Sequence, residues 1–352
     1  MADFILYGAY GYTGRLITRT AAEYGLRPLL SGRNAQKLEA MSLEFGYDYR
    51  AVDLKNRTEL HDLLKGYKVV LHAAGPFAET AAPMQKACLA TGVHYLDITG
   101  EISVFAASAR RGPEAERAGV MLMPGVGFDV VPTDCLAAYL KRCMPEATEL
   151  VLAFAWKGGM ISHGTSKTML GGLGRGGAVR RNGKIVPVPA AHDERSFPFT
   201  EEATLNAVTI PWGDVFTAYF TTGIPNIRTY FAVPPAQIKM MKRSNYLGPI
   251  LRLGIVQKFL AKKIEARPAG PDDEQRQRAE AYVYGEVKDV SGKTVAARLR
   301  TPEGYTLTAI TALMIVRRVL DGEMEPGYRT PAGVYGPDLI MEVAGVTRED
   351  LA

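Results

Sequence analysis

Three glycines follow the first apolar run of the chain, FILY, in the stretch YGAYGYTGR at Tyr7–Arg15. A residue without a side chain lets the backbone turn tightly and approach a ligand closely. A helix that begins after such a turn offers unpaired amides to an anion such as a pyrophosphate. The stretch therefore predicts a dinucleotide-binding loop, although glycines can also serve only to tighten a turn. The expected contact residues are Gly8, Tyr10, Gly11, Tyr12, Thr13 and Gly14.

The second apolar run ends in a basic rather than an acidic sequence. A site for NAD usually presents Asp or Glu about 20 residues past the loop, to accept a hydrogen bond from the ribose 2′-hydroxyl. Here the run PLL continues into Ser31, Gly32 and Arg33, and Lys37 follows one helical turn later. A hydroxyl, a guanidinium and an ammonium suit a 2′-phosphate. We therefore expect NADP(H); the alternative is that Arg33 is a solvated loop residue.

Two further segments fit the same ligand. Asp53 ends the third predicted strand, where an adenine amino group would lie. The small-residue loop after the fourth strand, AAGPF, is expected to run under the nicotinamide ribose. Its aromatic residue either packs on the nicotinamide ring or belongs to the core. The loop comprises Ala73, Ala74, Gly75, Pro76 and Phe77.

Polar residues follow the fifth predicted strand, within YLDITGE. Asp97, Thr99 and Glu101 are the first candidates for handling a proton or a developing charge beside the nicotinamide. The structural alternative is that Thr99 caps the next helix and Glu101 favours its positive end. Two more carboxyls, Asp129 and Asp134, lie in a Gly- and Pro-rich turn, where we expect a hinge tie and a helix cap.

The second half of the chain has one loop that suits acid–base chemistry, Ser162–Ser166. His163 lies there beside hydroxyl groups and can donate a proton near neutral pH. Thr165 is a candidate contact for substrate or cofactor. A lone histidine is more often a hydrogen-bonded structural group, so this alternative stays open.

The elements that must position these residues alternate from the start of the chain. Six apolar runs alternate with five helix-like stretches as far as residue 125 or so. Such alternation predicts an α/β fold of the Rossmann type, with a doubly wound parallel sheet whose strand ends form the ligand site. Later strand-like runs with Asn-Gly and Ser-Gly turns predict a second α/β domain with a mixed sheet.

Composition limits the possible functions. The chain has 352 residues with 47% hydrophobic and 22% charged residues, which is typical of a globular protein with two domains. Three cysteines without metal-ligand spacing indicate neither a disulfide framework nor a zinc site. A strand begins at Phe4 with no signal-peptide pattern, so we expect a cytoplasmic protein. No nucleic-acid-binding motif is present, and nucleic acid is not an expected partner.

One segment concentrates positive charge. Residues 239–267 carry eight Lys or Arg and one Glu, a balance of +7 against +5 for the whole chain. Within it, the stretch 245–264 has an apolar core at residues 246–260, which is interrupted by Pro249, Arg252 and Lys258 and is too short to span a bilayer. This part can contact an anionic membrane surface peripherally, gate a groove for a long acyl chain, or pack in the interface of a homodimer.

Together these motifs resemble the saccharopine dehydrogenase-like oxidoreductases, and within them the branch that contains trans-acting enoyl reductases. The resemblance rests on YGAYGYTGR, SGRN, AAGPF, YLDITGE, PGVGFDVVPTD, Gly164-Thr165, GPDDEQR and RTPAGVYG, in this order over nearly the whole chain. It implies an NADP-binding Rossmann domain over residues 1–130, a substrate domain over 131–322 and a C-terminal segment, 323–352, that returns to the first domain.

The resemblance also implies an activity, namely hydride transfer at the cleft between the domains. We expect an NADPH-dependent oxidoreductase that reduces an activated C=C or C=N bond in a hydrophobic metabolite, such as a lipid or polyketide intermediate. One alternative is a saccharopine-type secondary-amine dehydrogenase, for which Arg180, Arg181 and Arg228 are available arginines. Another is a sensor that binds NADP without turning it over.

Overall fold

The chain forms two separate units, each built around its own β-sheet. The computed structural model describes residues 2–158 and 160–351. Unit 1 comprises Met1–Val131 and Tyr305–Val334, and unit 2 comprises Pro132–Gly304 and Tyr335–Ala352.

Within the described ranges, unit 1 contains a parallel sheet of seven strands. They are β1 (Phe4–Tyr7), β2 (Pro28–Gly32), β3 (Tyr49–Ala51), β4 (Val69–His72), β5 (His94–Asp97), β6 (Met121–Met123) and β15 (Gly327–Tyr328). Their spatial order is β15-β6-β5-β4-β1-β2-β3, and every neighbouring pair is parallel. The chain thus winds outward in both directions from β1, which confirms the predicted doubly wound sheet.

The helices of unit 1 explain why its strands read as continuous apolar runs. They are α1 (Tyr12–Thr20), α2 (Ala35–Phe45), α3 (Arg57–Leu64), α4 (Phe77–Thr91), α5 (Ile102–Arg110), α6 (Gly112–Arg117), α13 (Gly304–Leu320) and α14 (Pro331–Tyr335). Parallel strands joined by helical crossovers are covered on both faces. All four residues of β1 and of β4 are accordingly buried.

Unit 2 contains a mixed sheet. Its strands are β7 (Glu149–Lys157), β8 (Gly177–Arg181), β9 (Lys184–Val188), β10 (Glu194–Pro198), β11 (Thr204–Thr209), β12 (Asn226–Ala232), β13 (Glu280–Lys288), β14 (Thr294–Pro302) and β16 (Thr347–Leu351). The main order is β10-β11-β12-β7-β13-β14-β16, with β8 joining β12 to β9. β7 pairs with β12 in parallel and with β13 antiparallel, as expected for the predicted mixed sheet.

The helices that accompany this sheet in the described residues are α7 (Val131–Cys143), α8 (His163–Gly172), α9 (Asp214–Thr222), α10 (Pro235–Leu251), α11 (Gly254–Glu265) and α12 (Asp273–Arg278). Of all the helices in the described part of the chain, none is both long enough and apolar enough to cross a membrane.

Two of the expected domain boundaries differ from the observed division. We expected residues 131–322 in the second domain and 323–352 back on the first, whereas 305–334 lie in unit 1 and 335–352 lie in unit 2. Two hydroxyls on α13 hold it in unit 1: Thr308 accepts a hydrogen bond from the Phe128 amide (3.0 Å), and Thr311 donates to the Val126 carbonyl (2.8 Å). The final strand β16 instead pairs with β14 of unit 2.

The close approach of α1 to β1 gives a stability prediction. A Cβ at Gly14 would lie 2.8 Å from the Ala9 carbonyl oxygen and also collide with the Gly8 carbonyl oxygen. Both are backbone atoms that cannot rotate away, so Gly14→Ala is expected to lower the free energy of unfolding by about 2 kcal/mol or more. Urea denaturation followed by circular dichroism measures the change.

Gly112→Ala is the matched control, because it also adds a Cβ inside a helix of unit 1. There the new atom meets only Tyr328, at an ordinary 3.5 Å. We expect its unfolding midpoint to stay close to that of the wild type. Equal stability of the Gly14→Ala variant and this control would show that α1 does not lie so close to β1.

Candidate functional site

The glycine-rich loop lies where the strand order of unit 1 reverses. β1 has β2 on one side and β4 on the other, and the loop follows directly from its carboxyl end. Gly8 has a left-handed φ of 92°, and its amide donates to the Ser31 carbonyl oxygen at 2.8 Å. In open α/β sheets, ligands bind in the crevice at such a reversal.

Each glycine of the loop permits a different close approach of other atoms to the backbone. A Cβ at Gly8 would lie 2.7 Å from the Ala73 carbonyl carbon, so only glycine lets the loop after β4 come this near. Gly14 permits the approach of α1 described above. Gly11 is the N-cap residue of α1 and is partly exposed, and no side chain of the described residues caps this helix. A helix start without a capping side chain, next to the backbone of glycine residues, suits the pyrophosphate of a dinucleotide.

The basic residues after β2 lie on the surface beside this loop. Arg33 and Lys37 are both exposed, and the Lys37 ammonium lies 5.6 Å from the centre of the Tyr10 ring. That ring covers Gly32, where a Cβ would come within 2.7 Å of it. No acidic residue occurs between Pro28 and Lys37, so the edge suits a 2′-phosphate.

Unlike the exposed Arg33 and Lys37, Ser31 is fully buried, and its hydroxyl donates to the Arg50 carbonyl at 2.8 Å. Its carbonyl, rather than its side chain, supports the glycine loop. Asp53 is exposed, and its Oδ1 accepts from the Lys55 amide at 2.9 Å in a local turn. A contact between Asp53 and adenine stays a prediction.

The loop after β4 lies open, except for its aromatic residue. Gly75 and Pro76 are exposed and joined by a cis peptide bond, while Ala73 and Ala74 are partly exposed. Phe77 is only 8% exposed and packs in the core of unit 1. Of the two roles considered for Phe77, the structure favours core packing.

Two loop residues at the start of α1, Tyr12 and Thr13, are partly exposed. The Tyr12 ring meets the Tyr305 ring edge-on, with 5.1 Å between the centroids, so α13 also borders the loop.

Asp97 accepts hydrogen bonds from three directions at the end of β5. Oδ2 accepts from the Tyr95 hydroxyl at 2.6 Å, and Oδ1 accepts from the amides of Thr99 (2.9 Å) and Gly125 (3.0 Å). The side chain is completely buried. Asp97 therefore ties the loop after β5 to the loop after β6.

Thr99 and Glu101 continue this network. The Thr99 hydroxyl accepts from the Glu101 amide at 3.1 Å and is buried. The Glu101 carboxylate accepts from the amides of Phe77 (2.9 Å) and Ala78 (3.1 Å), the first two residues of α4. The expected stabilisation of a helix start by Glu101 is thus found, but on α4 instead of the following helix α5.

From the sequence we expected Asp129 only to tie a hinge, but it lies close to the loop after β5. It is half-buried, and a Cβ at Gly100 would lie 3.1 Å from its Cγ, so the carboxyl rests directly on the loop after β5. Its position after β6, at the carboxyl edge of the sheet, was the available signal. Asp134 lies in the first turn of α7, where it accepts a hydrogen bond from the Thr221 hydroxyl.

Burial changes the protonation of these carboxyls. Loss of hydration raises the pKa of Asp97 to about 7, although its three hydrogen bonds act in the opposite direction. Loss of hydration, and then the charge of Glu101, raise the pKa of Asp129 to about 7. Burial also raises the pKa of Glu101, against the two α4 amides. Near neutral pH, Asp97 and Asp129 are therefore each partly protonated.

His72, at the end of β4, is another residue that sequence reasoning missed. Its ring lies 5.4 Å from Tyr7 and 5.6 Å from Phe77 between centroids, and it is completely buried. Burial lowers its pKa to about 3, so the imidazole is neutral. Neither ring nitrogen has a hydrogen-bond partner among residues 2–158 and 160–351. The floor beneath the strand-order reversal is thus aromatic and uncharged.

His163 and Thr165 lie in unit 2 and make local contacts there. His163 Nε2 lies 2.8 Å from the Arg267 carbonyl oxygen, to which it can donate, and the Thr165 amide donates to the Ser162 hydroxyl at 3.2 Å. Ser162 is the N-cap residue of α8. These contacts fit the structural alternative for His163, and a catalytic role for either residue stays a prediction.

Comparison with known proteins agrees with this site. Residues 4–123 match the model of the saccharopine dehydrogenase NADP binding domain. This match confirms the predicted resemblance and the predicted nicotinamide dinucleotide cofactor.

Relatives with curated descriptions cover part of the chain. A saccharopine dehydrogenase-like oxidoreductase of Mus musculus is 26% identical over 238 residues, which are 59% of this chain and 56% of that protein. A trans-acting enoyl reductase of Mycobacterium leprae (strain TN) is 30% identical over 148 residues, or 40% of this chain and 35% of that protein. The match therefore spans little more than half the length of the first relative.

Among solved structures, apo saccharopine dehydrogenase (L-Glu forming) of Saccharomyces cerevisiae is similar over 100% of both chains, with a TM-score of 0.71 and 12% identity. At this identity the likeness establishes the fold, a Rossmann-type sheet with a second mixed sheet.

The buried Asp97 predicts how stability depends on pH. The unfolded chain loses this proton near 3.8 and the folded chain near 7, so the folded state loses stability as pH rises between these values. The full difference corresponds to about 4 kcal/mol at most. In Asp97→Asn the amide oxygen still accepts from Thr99 and Gly125, but no charge forms.

We therefore expect the variant to gain stability relative to the wild type as pH rises from 4 to 8, as measured by urea denaturation. Asp48→Asn, at an exposed carboxyl of unit 1, controls for the removal of a charge. A difference between Asp97→Asn and wild type that stays constant with pH would contradict a raised pKa.

Proposed function

We propose that this protein is an NADPH-dependent oxidoreductase that reduces an activated double bond, C=C conjugated with a carbonyl or C=N, in a hydrophobic metabolite. One observation carries the proposal: a glycine cradle and an uncapped helix start lie at the strand-order reversal, beside the exposed cations Arg33 and Lys37. The names of the oxidoreductase and enoyl reductase relatives support the reaction class.

Different residues of unit 1 would bind different parts of NADPH. Gly8, Gly11 and the first turn of α1 would hold the pyrophosphate. Arg33 and Lys37 would hold the 2′-phosphate, the guanidinium through paired hydrogen bonds. Ala73 and Ala74 would border the nicotinamide ribose. When bound, the nicotinamide supplies a hydride, and the protein must orient the substrate and manage one proton.

We assign the proton to Asp129. Of the carboxyls at this edge, Asp97 is fully buried with three donors and Glu101 holds the backbone of α4. Asp129 is partly exposed, and its pKa of about 7 keeps a protonated fraction at neutral pH. Protonated, its carboxyl can give the proton that saturates a C=C bond; ionised, it can stabilise a protonated C=N bond.

A saccharopine-type amine dehydrogenase is the second candidate, and the expected arginines favour it less. Arg180 is buried, donates to the Val215 carbonyl at 2.8 Å and stacks on Tyr219 at 4.2 Å. Arg228 lies 3.4 Å from Asp193 and 3.3 Å from Glu149. Arg180 and Arg228 therefore have partners within unit 2, which makes them less suited to bind a dicarboxylate.

The proposal includes a cytoplasmic location. The free cysteines Cys88, Cys135 and Cys143 fit a reducing compartment.

Titration with NADPH and NADH tests the cofactor site, with nicotinamide fluorescence as the readout. Loss of a charged hydrogen-bond pair costs about 1.5–3 kcal/mol, so Arg33→Asp is expected to weaken NADPH binding roughly 10- to 100-fold and leave NADH binding little changed. Arg117→Asp, at another exposed arginine of unit 1, is the control. Equal affinity for the two cofactors, unaffected by Arg33→Asp, would contradict the assignment.

Asp129→Asn tests the proton assignment with enone and imine substrates. We expect kcat to fall about 10²- to 10⁴-fold while NADPH affinity stays constant. With an enone, wild-type activity should decline as pH rises above 7, because the carboxyl loses its proton. Unchanged kcat would remove Asp129 from the mechanism. Stoichiometric NADPH binding without turnover of enones, imines or keto acids would instead favour a sensor.

A further inference from the structure

A surface formed by α10 and α11 exposes an unusual number of large apolar side chains. Seven of the thirteen large hydrophobic residues exposed in the described part of the chain fall within twenty positions here. They are Met240, Tyr246, Leu247, Ile250, Leu253, Ile255 and Phe259. Scattered single exposed hydrophobic residues need no explanation, but a contiguous group marks an interaction site. We refer to these two helices as the α10–α11 surface.

A narrow face of α10 packs against the rest of unit 2. Its buried residues are Ile238, Ser244 and Gly248. A Cβ at Gly248 would lie 2.9 Å from the Gly174 carbonyl oxygen, so two glycines bring the backbones together. Because side chains about 180° around the helix point away from this contact, Tyr246 and Ile250 face outward.

α11 packs against unit 2 less closely than α10 does, since none of its residues is buried. Ile255 and Phe259 are 79% and 58% exposed and lie one turn apart on the same side. The Lys263 ammonium lies 4.8 Å from the centre of the Phe259 ring. Cationic and apolar groups thus share the outward side of this helix.

The charge of the surface is strongly one-sided. Eight basic residues and Glu265 between residues 239 and 267 leave a balance of +7. Glu265 is itself 2.8 Å from Lys167, and Lys242 is 2.9 Å from Glu194. Lys167 adds one positive charge and Glu194 one negative charge, so these neighbours leave the balance of the surface at +7.

We propose that the α10–α11 surface binds the anionic face of a phospholipid membrane peripherally. The apolar side chains would enter the boundary between headgroups and acyl chains, while lysine stems extend their ammonium groups to lipid phosphates. Tyr246 has the amphipathic ring that favours this interface. Each lysine or arginine near an anionic leaflet adds attraction, and this segment has eight.

Charge argues against a second copy of the chain as the occupant. A two-fold dimer places the same patch of both subunits face to face, so two segments of +7 would meet. An anionic bilayer supplies the opposite charge together with an apolar interior. The inference rests on this surface alone and stands independently of the proposed reaction.

Sedimentation of the full chain with lipid vesicles tests it. The vesicles contain phosphatidylcholine alone or with about 30% phosphatidylserine, whose negative charge attracts basic segments. We expect binding to the anionic vesicles to be at least about tenfold stronger, and to weaken at high salt because ions screen the attraction.

Two sets of variants separate the charged from the apolar contribution. Replacing Lys258, Lys262 and Lys263 by Gln is expected to weaken binding about tenfold or more. Tyr246→Ser with Phe259→Ser should weaken it at low salt as well, since these changes remove inserted apolar area. The matched controls replace exposed residues elsewhere: Lys184, Lys288 and Lys293 by Gln, and Leu43 with Val290 by Ser.

Vesicle binding that the surface variants weaken and the controls retain would support the proposal, with circular dichroism confirming that each variant is folded. Absence of binding to anionic vesicles, or equal weakening by controls and surface variants, would overturn it. A concentration-dependent dimer in ultracentrifugation that Tyr246→Ser with Phe259→Ser abolishes, without vesicle binding, would show a subunit interface instead.

Discussion

The Asp97 carboxylate organises the carboxyl edge of the parallel sheet. It is fully buried and accepts from the Tyr95 hydroxyl and from the amides of Thr99 and Gly125. Through Thr99 it fixes the turn that leads to Glu101, and through Gly125 it fixes the loop that leads to Asp129. One buried acceptor thereby sets where the other two carboxyls lie, since a buried polar group must keep its partners.

Hydrogen bonds and hydration separate the roles of these carboxyls. Glu101 accepts two amides at the positive end of α4, a structural use of its charge. Asp129 is partly exposed, and its pKa is raised to about 7 by loss of hydration and by Glu101. The same edge therefore places the Glu101 carboxylate beside a group that exchanges its proton near neutral pH, which suits the proposed proton donor.

Physical reasons explain which site residues could be predicted from the sequence. The loop from Gly8 to Gly14 is local: an apolar run, three glycines and a helix are adjacent in the chain, and the fold places them as expected. The sequence leaves Phe77 open between ligand and core and predicts Ser31 at the ligand, because a side chain beside a ligand loop can point either way. Their burial depends on neighbours such as His72 and Arg50, which lie elsewhere in the chain.

The sequence by itself determined the alternation of strands and helices, the dinucleotide loop and the absence of an acidic residue after β2, since each depends on residues close in the chain. Only the tertiary structure decided that Glu101 caps α4, that α13 belongs to unit 1 and that the apolar side of α10 and α11 stays exposed. Partners of these groups are distant in sequence, and periodicity predicts an apolar face without telling what covers it.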